Sequence, residues 1–505
     1  MPIETTPAVF ESVRPLWAVL VSLAAIPLIV ALRDRPNPRE AVTLIAAVIK
    51  AGLVLSMFPW VLDGRQAVAT LWEISPGIEL ALRVDTLGYV FAVVASVLWV
   101  LTSFYSIGYV RGAHEKKQTR YFASFALCLS ATIGICFAAN LLTFVVFFEI
   151  LTLATYPLVI HKETPAAITA ARKYLSYTLP AGLALLGAVA WSVAATGGAT
   201  DFVPGGFLGE TGLSETSLRW LFLFFMLGVC VKAGVMPLHS WLPAAMAAPT
   251  PVSALLHAVA VVKAGVFGVL RVTGFVFGPE LLREIDVAIV LAWAAGITLT
   301  VGSLLALRQD NLKRRLAYST VAHLSYIVLG AALVTGASWS GAVMHLMFHA
   351  TMKITLFFCA GAIYVRVHKE NISDMHGIGR QMPITMLAFA VGSLGLAGVP
   401  GVNGFVSKWY LAVGAVEADQ MVFMGLLLLS GVLNAAYFFP IVHVAFFRRN
   451  DEFSGFGEAS PLMVVPLAVT AVVSIVLGIA PNLGVHAWDL ARTISAAVIG
   501  TGGAG

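Results

Sequence analysis

The chain has 505 residues, of which 59% are hydrophobic and only 11% charged, with a mean hydropathy of +0.90 and a formal net charge of +5. These values lie far outside the range of soluble domains and point to an all-α polytopic membrane protein. The surplus of base follows membrane topology, as its placement shows below, and gives no sign of nucleic-acid binding.

The N-terminal MPIETTPAVFESVRP is acidic and lacks a basic leader, so no cleaved signal peptide is expected. Apolar runs of about 20 residues then predict helices over 16–33, 41–62, 86–110, 120–139, 140–160, 170–196, 217–246, 252–277, 285–306, 314–335, 340–365, 383–413, 420–447 and 461–483, about fourteen spans in all. Only Asn140 marks the break between the fourth and the fifth. The connections after odd-numbered spans collect most of the loop Lys and Arg, from Arg33, Arg35 and Arg39 to Arg448 and Arg449. The opposite side holds Arg14, Arg65, Arg83, Arg219, Arg271, Arg283 and Arg492. By the positive-inside rule both termini face away from the cytoplasm. A single missed helix would scramble this bias.

Cys128, Cys136, Cys230 and Cys359 all lie inside apolar runs, with no CxxC or Cys/His ligand spacing, and read as packing residues. No iron-sulfur, zinc, haem, GxGxxG or phosphate-loop motif is present. No cofactor is therefore expected, and redox chemistry linked to this chain belongs to a partner.

An ionisable group at mid-bilayer costs roughly 2.5–3.5 kcal/mol, so each one demands a partner, a water cavity or a function. In chain order they are Lys50, Glu149, Lys232, Lys263, Lys353 and Lys408. Lys50 is expected to snorkel or to pack against a neighbouring subunit. Glu149, in NLLTFVVFFEILTLATYPLVI, reads as the only acid inside a span, so its counter-ion must come from another helix. Lys232 is the first candidate and Lys263 the second. A Glu and a Lys about 7 Å apart at an effective dielectric near 20 attract by roughly 2.4 kcal/mol, enough for small movements to control a proton. A static packing pair is the plainer reading, but one acid cannot neutralise four interior lysines.

In AVMHLMFHATMKITLFF, His345, His349 and Lys353 follow each other at four-residue steps along one helix face, a spacing suited to a proton or water wire. His323 in VAHLSY and His257 in ALLHAV extend it, His257 reading equally well as a helix-to-helix hydrogen bond. No third ligand accompanies the 345/349 pair, so no metal is expected.

Two interruptions form a pair: KAGVMPLHSWLP after Lys232, with Gly234 and Pro237, and LAGVPGVNGFVSKWYL before Lys408, with Pro400 and Gly401. They lie five spans apart, as expected for two inverted five-helix repeats with one broken helix each. The predicted units are 1–119 (helices 1–3), 120–278 (first repeat), 279–447 (second repeat) and 448–505 (helix 14 and a tail).

FFE in the fifth span, KAGVMPLHSWLPAAMAAPTPVSALLHAVAVVKAG across the seventh and eighth, and GVNGFVSKW in the twelfth resemble the antiporter-like proton-translocating subunits. These occur in Mrp-type multisubunit cation/proton antiporters, respiratory complex I and membrane-bound hydrogenases. The resemblance covers nearly the whole chain. It implies a modulating pair at Glu149 and Lys232, a relay through Lys263, His323 and His349, and a gate at Lys408. Lys408 resembles the D subunit of Mrp antiporters and departs from the glutamate of the complex I M-type subunit. PTPVSALLH is closer to complex I and hydrogenase relatives, and Pro243-Ala244-Ala245 replaces the family's frequent Pro-Asp-Ala, removing an acid at the cytoplasmic mouth.

Two functions are implied. One is a proton-translocating subunit of a monovalent cation (Na⁺)/proton antiporter in a prokaryotic inner membrane, embedded in lipid with other integral membrane subunits. The other is a proton-pumping membrane-arm subunit of a complex I-like oxidoreductase or hydrogenase, in which case the chain is part of a translocase. A non-conducting structural subunit is the third, plainer reading.

Overall fold

The computed structural model describes residues 8–75, 77–448, 450–453 and 455–500, with the side chains of His257 and Asp451 outside that description. Every predicted span falls on helix: α1 (Arg14–Ala31), α2 (Pro36–Leu55), α3 (Thr86–Gly112), α4 (Gln118–Cys136), α5 (Leu141–Val159), α6 (Pro165–Thr196) and α7 (Glu215–Ala233). The series continues with α8 (Val261–Arg271), α9 (Val287–Leu307), α10 (Leu312–Ala332), α11 (Gly336–Val367), α12 (Pro383–Ala397), α13 (Asn403–Glu417), α14 (Met421–Phe447) and α15 (Pro461–Ile479).

Among the described residues, 11 helices are long and apolar enough to cross a bilayer unaided. The predicted eighth, tenth and twelfth spans are not among them. π turns at Leu255–Val259 and Val272–Phe277 divide the eighth. The tenth, α10, opens on the basic run Lys313 to Arg315. The twelfth is split into α12 and α13.

Polar caps place the helix starts. Asn140 accepts from the Thr143 amide at 2.9 Å, which is why a single polar residue separates α4 from α5. Thr335 and Ser338 form a reciprocal box at the start of α11. Both predicted breaks are present: α7 stops at Gly234 (φ 71°) and α12 at Gly398 (φ 90°), left-handed conformations that glycine adopts without penalty. The breaks fall in the predicted seventh and twelfth spans. The π turns on either side of α8 form a third irregularity.

The 32-residue α11 is the axis of the molecule, with its apolar window fully buried. It packs against α3, α10, α12, α13 and α15. At 1.5 Å per residue it is about 48 Å long, so it exceeds a hydrocarbon core of about 30 Å. The outward faces of other helices carry apolar side chains such as Leu183 (70% exposed) and Val432 (68%), as a surface against lipid or other membrane chains requires.

Several features correct the sequence reading. A small sheet, β1 (Val9–Glu11), β2 (Gln66–Ser75) and β3 (Ile78–Val84), joins the N-terminus to the connection before α3, with β1–β2 parallel and β2–β3 antiparallel. The expected tail contains a further helix, α16 (Ala487–Ile499), anchored by the Trp488 indole donating to Tyr410 Oη at 2.7 Å. Arg271, counted with the loop cations, sits 1% exposed in α8, where its guanidinium takes both oxygens of the α3 cap Asp85. Glu149 is not the sole acid within a helix, because α2 begins early enough to include buried Glu40, paired with Arg111.

Candidate functional site

The first cluster lies where α7 ends. Lys232 is in the last turn of that helix, where a cation complements unpaired carbonyls, and it is 1% exposed. Its ammonium donates to the Phe148 carbonyl, which also accepts from the Thr152 hydroxyl at 3.2 Å. The same ammonium sits 3.4 Å above the centre of the Phe148 ring. Glu149 follows Phe148 on α5, and its carboxyl presses on Gly182 of α6, where a Cβ would fall 2.5 Å from it. Glu149 Oε1 is buried without a hydrogen-bond partner. Lys232 and Glu149 act on each other electrostatically but make no ion-pair contact. The expected pairing is thus through space, with the lysine's hydrogen bond taken by the neighbouring backbone.

Lys263 is completely buried, and its Nζ has no hydrogen-bond partner among the described residues. α8 touches α7 backbone to backbone at Gly265, where any Cβ would overlap Ala233. This contact ties the two lysine-bearing helices together. From there the Lys263 charge is felt by His349, His345, His323 and Lys353.

The second cluster surrounds α11. His323 and His345 face each other, Nδ1 to Nε2, at 3.2 Å. His323 Nε2 lies 3.1 Å from Asn434 Nδ2, and His345 Nδ1 lies 2.9 Å from Ser407 Oγ. The amide orientation is fixed because Asn434 Nδ2 also donates to the Leu396 carbonyl at 3.0 Å. Donation from Asn434 makes His323 Nε2 the acceptor. His323 Nδ1 then carries the hydrogen that points at His345, whose Nδ1–H is left for Ser407.

On the other side of Asn434, the Tyr437 hydroxyl reaches both Asn434 Oδ1 and, at 2.9 Å, Ser319 Oγ. Lys353 donates to that same Ser319 oxygen at 2.9 Å. Lys408, from α13, donates to the Leu396 carbonyl at the end of α12 and lies 4.9 Å over the Tyr326 ring. His349 stacks on His323 and lies tilted against His345, with both ring nitrogens unpaired.

Of the predicted residues, His323, His345, Lys353 and Lys408 are thereby brought into one hydrogen-bonded network, and His349 joins by stacking. The stripe on α11 is not a wire along its own helix: side chains of α10 and α14 bridge His345 to Lys353. Ser319, Tyr326, Ser407, Asn434 and Tyr437 were missed. Only Asn434 left a signal, as a lone amide in LLLLSGVLNAAYFFP. Gly234, Pro237, Pro400 and Gly401 lie at the breaks as predicted. Lys50 neither snorkels nor reaches a surface: it is buried, bonded to Ser22 Oγ and 5.1 Å over the Trp99 ring. The predicted extension through the His257 side chain falls outside the described residues.

A transmembrane family described as NADH:quinone oxidoreductase/Mrp antiporter matches residues 138–434. The N subunit of the NADH-quinone oxidoreductase of Desulforudis audaxviator is 32% identical over 424 residues, covering 81% of this chain and 83% of that protein. A Rhizobium meliloti protein described as a probable K(+)/H(+) antiporter component is 30% identical over 455 residues, 87% of this chain but 44% of its own length. In fold, the chain is similar to one in the Mrp complex of a Dietzia species (TM-score 0.84, 21% identity, 97% of each chain). It is likewise similar to one in an archaeal membrane-bound sulfane sulfur reductase (TM-score 0.85, 23% identity, 97% of this chain and 98% of that one).

Proposed function

Because the chain belongs to the NADH:quinone oxidoreductase/Mrp antiporter transmembrane family, we propose that it is a proton-translocating subunit of a multisubunit monovalent cation/proton antiporter, with Na⁺ as the exchanged ion. The observation that carries this reading is the unbroken polar contact from Lys353 through Ser319, Tyr437, Asn434, His323 and His345 to Ser407, all buried within an apolar bundle. A structural polar core has no need of three imidazoles and three lysines without a carboxylate among them. Neutral imidazole accepts a proton at one nitrogen and releases it from the other. The Asn434 amide orients His323 but does not pass protons, so transfer between Tyr437 and His323 takes water or a rearranged hydrogen bond.

In this mechanism Glu149 and Lys232 set the proton affinity at the first break, Lys263 passes charge into the histidine cluster, and Lys408 releases it beside the second break. Residues 120–278 and 279–447 are the two inverted repeats, flanked by 1–119 and 448–505. The termini face the non-cytoplasmic side of a prokaryotic inner membrane, and the remaining subunits and lipid surround the exposed apolar faces.

A second reading, a membrane-arm subunit of a redox-driven pump, is favoured by the similarity to the oxidoreductase N subunit over most of both chains. Everted vesicles from antiporter-deficient cells producing the whole complex separate the two. Na⁺-dependent collapse of a pH gradient supports the antiporter. Proton pumping that requires an electron donor and never responds to Na⁺ overturns it.

A further inference from the structure

Beyond the first break, a cavity of about 770 Å³ lies between the start of α6 and the start of α10. Its apolar floor includes Ala244 and Met246, and its walls present Lys173, Lys313, Arg314 and the single carboxylate Glu370. The Lys313 ammonium donates to the Ala248 carbonyl at 2.7 Å, and Glu370 leans 3.5 Å from the Asn311 amide. Among the described residues no carboxylate pairs with Lys173 or Arg314. Beyond the cavity, Lys162 opposes the Lys313 charge and Glu115 favours it. Lys173 and Arg314 outnumber Glu370, so the cavity is net positive without counting Lys313, and a field of that sign repels a monovalent cation instead of gathering it.

Cationic walls above an apolar floor, at the end of the bundle that carries the basic connections, match a phosphodiester with hydrocarbon behind it. α6 and residues 243–247 come from one half of the chain, and α10 with Glu370 from the other, so one anion touching Lys173 and Arg314 joins the two across the seam. We propose that this cavity holds the headgroup phosphate of an anionic phospholipid, which pins the segment after the first helix break between the halves. The assignment rests on the cytoplasmic orientation proposed above, but its test reads lipid binding and not transport.

The test is native mass spectrometry of the full chain, purified with its accompanying subunits and titrated with phosphatidylglycerol or phosphatidylethanolamine. The wild type should hold one phosphatidylglycerol more than the Lys173→Gln/Arg314→Gln double variant, with about a tenfold fall in the bound fraction at limiting lipid. Phosphatidylethanolamine should not distinguish the two proteins. Arg314→Lys should bind as wild type does, showing that charge and not fold was lost. If the double variant does not purify, Arg314→Gln alone, at an exposed position, should still show a graded loss. Equal phosphatidylglycerol binding by wild type and variants overturns the proposal. So does displacement of the lipid by excess inorganic phosphate, which would make the ligand a soluble anion.

Discussion

The ammonium of Lys232 is bound to the carbonyl of Phe148 and lies over that residue's ring, one position away from the acid expected to hold it. A lysine so placed feels Glu149 without being locked to it. Lys232→Arg keeps the charge but not the ability to release a proton. It also brings five donors to a pocket offering one backbone acceptor. The variant is expected to assemble and lose most transport, at least about tenfold, measured as ion-dependent pH change in everted vesicles. Transport near the wild-type rate would make Lys232 a structural residue.

Glu149→Ala should abolish proton-coupled transport with assembly largely intact, and Glu149→Asp should retain part of it, since only reach is shortened. Gly182 supplies a sharper test, because a methyl there meets the carboxyl itself. Gly182→Ala is expected to cost about 1–3 kcal/mol of stability through overpacking. Its transport should fall toward that of Glu149→Ala. Retention of full activity in Gly182→Ala would show that the carboxyl position is not critical.

Asn434 is the hinge of the second network, holding His323, Tyr437 and the Leu396 carbonyl together. Asn434→Leu fills the space but leaves the His323 ring without its fixed donor. A loss of about tenfold or more in turnover is expected, with unchanged assembly on size-exclusion chromatography. His349→Ala should likewise slow turnover more than Cys359→Ala on the same helix. Equal effects would point to packing for both.

Outside the spans, burial pushes the His161 imidazole down to about 4, with Arg120 adding to the effect. Hydrogen bonds from Lys117 and Arg120 hold the Glu163 carboxyl at about 2. For His161 the unfolded chain binds more protons between about pH 6.5 and 4, so stability falls as pH drops through that window, by on the order of 2–3 kcal/mol. The depressed Glu163 carboxyl likewise favours the folded chain above about pH 4.5, and that contribution is lost as pH falls toward 2. Thermal unfolding of purified His161→Asn should lose the upper part of the acid sensitivity, and Glu163→Gln the lower part. Parallel curves for His161→Asn and wild type would contradict the assignment.

The sequence by itself determined the membrane class, the helical spans, both breaks and the ionisable residues worth naming. Each of these is dictated locally: a run of apolar residues must be helical in lipid because its backbone has nothing else to bond, glycine and proline mark where that stops, and a buried charge stands out against its neighbours. Tertiary structure alone decided who bonds to whom. The side-chain partner of His345 proved to be His323 of α10 and not its own helical neighbour. Lys232 took a carbonyl instead of a carboxylate, and Arg271 turned inward to Asp85, 186 positions away in the chain. Ser319, Ser407 and Tyr437 look like ordinary polar residues in apolar helices. They join the proposed proton path only because helix packing, set by close backbone approaches such as Gly341 of α11 on Leu411 of α13, delivers them within hydrogen-bond reach of groups far away in sequence.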